Sequence, residues 1–234
     1  MVELHHGDCL ELLPKVEAQS VDLVLCDLPY GVTNCSWDRV MNLTTLWREY
    51  VRVLKARGAA VLFSMMRFSV ALMNAAPRGW FRYEWIWDKR AASGWLWAHR
   101  RPMVRHEQLL VFAPQMPGYF PQGLRPCAPK ARAARGSETY GKCAQGSVQT
   151  KTGWPTSILR FQREPGAKPA QKPVALLEYL IRTYTRRGGV VLDNSMGLGS
   201  TGVAAVKSGR RFIGMEIDAE RFETARQRVE AARG

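Results

Sequence analysis

The sequence predicts an α/β protein built on a doubly wound, mostly parallel sheet. Three observations predict it. Short apolar runs such as VDLVLC, AAVLFS and VVLD end in acidic or turn residues. Runs of that kind suit strands covered on both faces. Segments with helical spacing lie between them, which gives a β-α-β alternation. Finally, VVLDNSMGLGSTG sets Gly197, Gly199 and Gly202 as a G-x-G-x-x-G between a strand and a helix.

In chain order, Val21 to Asp27 reads as a buried strand. LTTLWREYVRVLKARG then carries Leu43, Leu46, Tyr50 and Leu54 at helical spacing, with Gly58 as its stop. Ala59 to Ser64, Tyr83 to Asp88 and Gln108 to Ala113 read as further strands. From Pro114 to about Pro155 the periodicity fades, and Gly, Pro, Arg and Lys dominate. This stretch is expected to be a basic, partly mobile insertion within a single 234-residue domain, with too few apolar residues for a core of its own. Order returns at KPVALLEYLIRTYT, where Pro173 suits a first helical position. Strand VVLD, helix STGVAAVKSG, strand RFIGMEI and helix DAERFETARQRVEAA complete the chain.

The totals narrow the function. The chain has 34 Lys and Arg against 20 Asp and Glu, a formal charge of +14. That balance points to a polyanionic partner, nucleic acid first. The five cysteines form no C-x-x-C pair, so neither a zinc site, another metal site nor a disulfide framework is expected. Cys26, inside an apolar run, reads as a small core residue. No window is long and apolar enough for a membrane span, and the N-terminus has no signal-peptide stretch. A cytoplasmic protein is expected, and a homodimer is compatible with the sequence.

The glycine loop suits a nucleotide-bearing cofactor, with Glu216 at the end of the next strand placed to take ribose hydroxyls. Asp193 closes the preceding strand, and a carboxylate there repels a pyrophosphate and favours a cation. S-adenosylmethionine, with its ammonium and sulfonium, fits that charge better than NAD.

Two motifs together resemble a known family, the β-class of DNA amino-methyltransferases that act on adenine N6 or cytosine N4. Asp27-Leu28-Pro29-Tyr30 is similar to that family's D/N/S-P-P-Y/F catalytic motif. Asp193 to Gly202 is similar to its D-P-F-x-G-S-G-T-T loop, and Lys168-Pro169-Ala170-Gln171-Lys172-Pro173 to its H-P-T-Q-K-P segment. Gly7-Asp8 resembles its G-D element near the cofactor adenine. The four motifs stand in the family's permuted order, catalytic half first and cofactor loop late, and the likeness covers the chain outside roughly 114–155. Leu28, Asn194-Ser195 and Lys168 depart from the pattern.

The resemblance implies a methyltransferase sheet of the Rossmann-like type, S-adenosylmethionine as cofactor and DNA as partner. Asp27 and the Leu28 carbonyl would accept hydrogen bonds from the amino group of a flipped-out base, Pro29 would fix the turn, and the ring of Tyr30, not its hydroxyl, would stack on the base. Asp8, Lys172, Asp193, Ser195, Met196, Gly197, Gly199, Ser200, Thr201 and Glu216 would hold the cofactor. Asp8 is equally natural as a helix cap, and Asp218 is read as the cap of the last helix. His106-Glu107 matches a family H-E pair loosely, and His106 is read as structural. Arg100, Arg101, Arg105, Arg125, Lys130, Arg132 and Arg135 are the predicted DNA contacts, through phosphates. Adenine is favoured over cytosine because the motif begins with aspartate. The rival readings are an NAD-dependent oxidoreductase and a catalytically idle nucleic-acid-binding protein.

Overall fold

The computed structural model describes residues 1–31, 41–132, 146–164, 166 and 171–234. They divide into two compact units, Met1–Phe120 with Ser157–Gly234, and Pro121–Thr156.

The first unit holds an eight-stranded sheet, and its elements follow in chain order. β1 (Val2–His6) leads to the short α1 (Cys9–Leu12), then β2 (Val21–Cys26), α2 (Leu43–Val53), β3 (Leu54–Ser64) and α3 (Met66–Ala75). β4 (Phe81–Ser93) and β5 (Val104–Phe112) form a long hairpin. β6 (Arg125–Arg132) and β7 (Ser147–Thr152) belong to the second unit. The first unit then resumes with β8 (Ile158–Arg160), α4 (Val174–Tyr184), β9 (Val190–Asp193), α5 (Ser200–Lys207), β10 (Arg211–Glu216) and α6 (Ala219–Ala231).

The strand order is β1-β10-β9-β2-β3-β5-β4-β8. Only β5 runs antiparallel to its neighbours. The winding reverses between β9 and β2, which pair directly through Leu23 with Val191 and Val24 with Leu192. At such a switch point the two halves of the sheet diverge and leave a crevice at the carboxyl ends of the strands.

The apolar run of β2 is explained by its two neighbours. Val24 and Cys26 enter the core beneath α1, α2 and α3, with Leu46, Tyr50 and Leu72. Leu23 and Leu25 enter the opposite core beneath α4, α5 and α6, with Leu177, Ala204 and Ala225. Both faces are covered, so alternation has no reason to appear. The expected doubly wound class is found, as three layers, helix on sheet on helix.

Three boundaries differ from the sequence reading. The second helix stops at Val53, and Leu54 to Arg57 belong to β3, where Leu54 pairs with Val21. Gly58 is therefore not a helix stop but a strand residue at a close approach. A Cβ there would lie 3.0 Å from the Val21 carbonyl oxygen. β4 and β5 run well past the predicted strands, because each pairs the other through an exposed extension that periodicity alone does not mark. Pro173 is the N-cap of α4 and not its first residue, and the carboxylate of Glu164 accepts from Val174 N–H at 2.7 Å.

The 114–155 stretch reads from sequence as a basic, partly mobile insertion in which periodicity fades. Its beginning is anchored in the first unit, where Gly118 N–H bonds to the Arg57 carbonyl and Phe120 N–H to that of Thr183. The second unit, by itself, contains the antiparallel ribbon β6–β7, broken by a register shift between Pro126 and Lys130. Arg135 and residues 133–145 lie outside the described residues, as do Lys168, Pro169 and Ala170.

Candidate active site

The carboxyl ends of β10, β9 and β2 stand side by side, and they carry Glu216, Asp193 and Asp27. Side chains of the glycine loop stitch these ends together. Ser195 Oγ donates to the Asp27 carbonyl at 3.1 Å. Asn194 is buried, and its Oδ1 accepts from Tyr50 Oη at 2.6 Å and from Cys26 Sγ at 3.0 Å. The Asn194-Ser195 departure from the family motif thus serves to pin the loop to β2 and α2. On the other side, Gly197 N–H donates to Glu216 Oε2 at 2.8 Å, and Asp218 N–H to Oε1 at 3.0 Å. Asp218 caps α6 through Arg221 N–H, as expected, and leaves Glu216 to the loop.

The glycines have separate reasons. Gly199 has φ +76°, and a Cβ there would meet Ala225 Cα at 3.0 Å, so α6 can close on the loop only over a glycine. At Gly202 the same holds for Val229 and Phe212. Gly197 differs: a side chain there would stand in open space. That free face, beside Glu216 and Asp193, leaves room for a ligand to approach the backbone.

Asp193 is fully buried, and burial pushes its carboxyl up to about 6, against hydrogen bonds from Thr201 and Ser195 N–H that pull it down. The folded state therefore binds more protons than the unfolded chain between about pH 4 and pH 6, and stability falls as pH rises through that window. A two-unit gap corresponds to roughly 3 kcal/mol. Asp193→Asn is expected to stabilise the ligand-free protein at pH 8 by up to that amount and to converge with wild type near pH 4. Urea unfolding across pH measures it, and equal curves for the two proteins would discard the reading. The same variant is expected to bind a cationic ligand more weakly.

Among the described residues, Ser200 Oγ, at the start of α5, is buried without a hydrogen-bond partner. An orphaned hydroxyl, a free glycine face and two adjacent carboxylates fit a ligand with a ribose diol and positive charge, which is the chemistry of S-adenosylmethionine. Met196 N–H bonds to the Met215 carbonyl, and its side chain is buried in the core. Asp8 caps α1, accepting from Leu10 N–H at 2.8 Å. A cavity of about 420 Å³ lies at the opposite ends of the strands, beside Lys15, Lys55 and Val190, and none of the predicted site residues lines it.

The Asp27–Tyr30 turn has an unexpected neighbour in Lys172. The sequence placed this lysine near the cofactor. In the structure its buried ammonium makes a close ion pair with Asp27 Oδ2 and a second, at 3.4 Å, with Glu107 Oε2, and lies 4.9 Å above the Phe63 ring. Lys89, also buried, reaches Glu107 Oε1 at 3.4 Å. Burial alone would lower the Lys172 value, but the two carboxylates outweigh it and hold the ammonium above the ordinary lysine range. Tyr30 Oη donates to Asp27 Oδ1 at 2.6 Å, so the hydroxyl, to which the sequence reading gave no role, orients the carboxylate.

The sequence reading named Glu107 only in a loose H-E match, with no role for its carboxylate, and did not name Lys89. A signal existed. Leu109 and Val111 face the core, so Glu107 shares their face of β5, and Lys89 shares that of Trp85 and Trp87 on β4. A charged residue on a core-facing position demands a partner. His106, on the other face, is exposed and not a buried structural histidine.

The predicted DNA contacts separate into groups. Arg100 and Arg101 are exposed, each about 6 Å from the Trp97 ring centre (5.8 and 5.9 Å). Arg105 is engaged by Asp88 through two bonds of 2.8 and 3.0 Å, and that guanidinium holds the Asp88 carboxyl down to about 2, so it is less free for phosphate than expected. Arg125 and Lys130 are exposed on β6, and Arg132 ends that strand.

A mostly parallel sheet whose switch point fits an adenosyl cation, with a polar turn one strand away, defines the class: an S-adenosylmethionine-dependent methyltransferase. A family model described as DNA methylase, covering the N6 and N4 amino-methylating enzymes, matches residues 21–227, and the chain belongs to that family. It transfers a methyl group from S-adenosylmethionine to an exocyclic amino group of DNA. Among curated relatives, Type II methyltransferase M2.DpnII of Streptococcus pneumoniae is 26% identical over 97% of this chain and 89% of its own length. DNA adenine methyltransferase YhdJ of Escherichia coli (strain K12) is 28% identical over 97% of this chain and 82% of its own. The crystal structure of the M1.HpyAVI–SAM complex shares the fold, with a TM-score of 0.66 and 23% identity over 97% of this chain and 100% of that one.

Proposed function

We propose that the base is adenine, methylated at N6, and that Asp27, Leu28, Pro29 and Tyr30 carry the chemistry. The observation that carries this reading is the bond from Ser195 Oγ to the Asp27 carbonyl, which joins the cofactor loop to the catalytic turn. The aspartate that opens the motif, and the adenine-specific relative, favour adenine over cytosine.

S-adenosylmethionine, when bound, supplies an electrophilic methyl group. Glu216 would take the ribose hydroxyls, Asp193 and the Gly197–Thr201 turn would hold the rest, and Ser200 Oγ would find its partner there. The amino nitrogen of adenine is a poor nucleophile because its lone pair is delocalised into the ring. Asp27 and the Leu28 carbonyl accept its two hydrogens, favour a pyramidal nitrogen and stabilise the charge that grows on it. Among the described residues each Asp27 oxygen has one donor, Tyr30 or Lys172, and a carboxylate oxygen has room for another. The turn keeps its shape because Pro29 locks φ. The Tyr30 ring stacks on the extruded base.

Arg100, Arg101, Arg125, Lys130, Arg132 and Arg135 meet phosphates, with segment 114–155 as the recognition insertion of one methyltransferase domain. The protein works in the cytoplasm. Self-association as a homodimer draws support from the exposed stripe Met66, Val70 and Met73 on α3. The test is to incubate DNA with the protein and labelled methyl donor, digest it to nucleosides and identify the product by mass. N6-methyladenine is expected; N4-methylcytosine would reassign the base, and an unmethylated product would remove the reading.

A further inference from the structure

The β4–β5 hairpin ends in a feature that methyl transfer does not use. Beyond the Ser93–Val104 pair the chain makes a tight helical turn at Trp95–Trp97. Trp95 is 77% exposed, Leu96 84% and Trp97 49%. Three neighbouring apolar side chains held in water mark a binding surface. The turn is not loose. Trp97 N–H bonds to the Gly94 carbonyl, Ala98 N–H to that of Trp95, and the N–H groups of Arg100 and Arg101 both bond to that of Trp97. The apolar tip is thus preorganised, and the two arginines are tied to its base.

The charge beside the tip names the occupant. Arg100 and Arg101 are exposed and suit phosphates, and membership of a DNA methylase family makes those the phosphates of DNA. The hairpin is also continuous with the catalytic site. Glu107, which faces Lys172, lies three strand residues below Val104, about 10 Å along β5. An enzyme that acts on a base outside the stack must compensate for the gap the base leaves, and apolar side chains inserted at a base step do so in other DNA-bending proteins.

We propose that the Trp95–Trp97 turn is a wedge that enters the duplex beside the target base and holds open the space the base vacates, with Arg100 and Arg101 on the flanking phosphates. The proposal rests on the DNA-methylation reading of the site.

The test compares wild type with the double variant W95A/L96A on two substrates: an intact duplex carrying a sequence that wild type methylates, and the same duplex with an abasic position opposite the target. Opening is largely paid in advance in the second. On the intact duplex the variant is expected to lose at least about tenfold in methylation rate, the scale of one aromatic–base stack. It is also expected to lose fluorescence of 2-aminopurine placed at the target. On the abasic duplex it should come within about threefold of wild type. Circular dichroism and S-adenosylmethionine affinity should not change, since both side chains are in solvent. Equal loss on both substrates, or no loss on either, overturns the wedge. So does normal base opening accompanied by a change in sedimentation, which would make the tip a contact between copies of the chain. Wild type that methylates no DNA refutes the underlying reading instead, and is told apart because the variant is not needed to see it.

Discussion

Asp27→Ala is expected to slow methyl transfer at least about a hundredfold, while affinity for S-adenosylmethionine stays within a few-fold of wild type. Loss of one preorganised acceptor aimed at a developing charge has that size. The cofactor side should survive because the loop is tied to the Asp27 main-chain carbonyl, through Ser195 Oγ, and the substitution leaves the main chain in place. Lys172 keeps Glu107 as a partner, so the fold should persist. Single-turnover methylation and calorimetric titration of the cofactor measure the two effects. Near wild-type turnover in the variant would remove Asp27 from the mechanism.

Lys172→Met should act on stability as well as rate. The ammonium is buried between Asp27 and Glu107, and its removal leaves two carboxylates facing each other. Breaking such a buried pair from one side costs about 3–5 kcal/mol. The lower end applies here, because Glu107 retains Lys89 and Asp27 retains the Tyr30 hydroxyl. The folded value of Lys172 lies above the ordinary lysine value. Its stabilisation is therefore complete below about pH 10 and is lost as pH rises through the folded value. Urea unfolding at pH 7 should show the full difference from wild type. Adding Glu107→Gln to the variant should recover part of the loss by removing one of the facing charges. A single variant as stable as wild type, or a double variant with no recovery, would show that the cluster is not coupled. The rate should fall too, since Asp27 loses the group that orients its second oxygen.

The two predictions differ in where they could have been seen. Asp27 stands in a contiguous motif after an apolar run, and contiguous patterns are what a sequence displays. The same is true of β2 and β9, whose runs are apolar because both faces are covered, and of Asp218, a capping residue directly before the last helix. Local chemistry also determined the glycine loop, down to the carboxylate that favours a cation.

Tertiary structure alone decided what depends on partners far along the chain. Lys172, Glu107 and Asp27 meet across 145 residues or less, and no periodicity records an ion pair between a helix entry, a strand and a turn. Leu54 to Arg57 read as helix by local spacing, but Leu54 pairs with Val21 of β2 and the chain enters β3 there. Tyr30 was legible as an aromatic beside a target base, yet its hydroxyl bond to Asp27 depends on how the turn folds back on itself. Local sequence thus determined the sheet, the loop and the chemistry of the turn. The charges that hold the turn ready were set by the packing of β4, β5 and the entry to α4 against it, because burial gives an ion pair its strength and burial belongs to the whole fold.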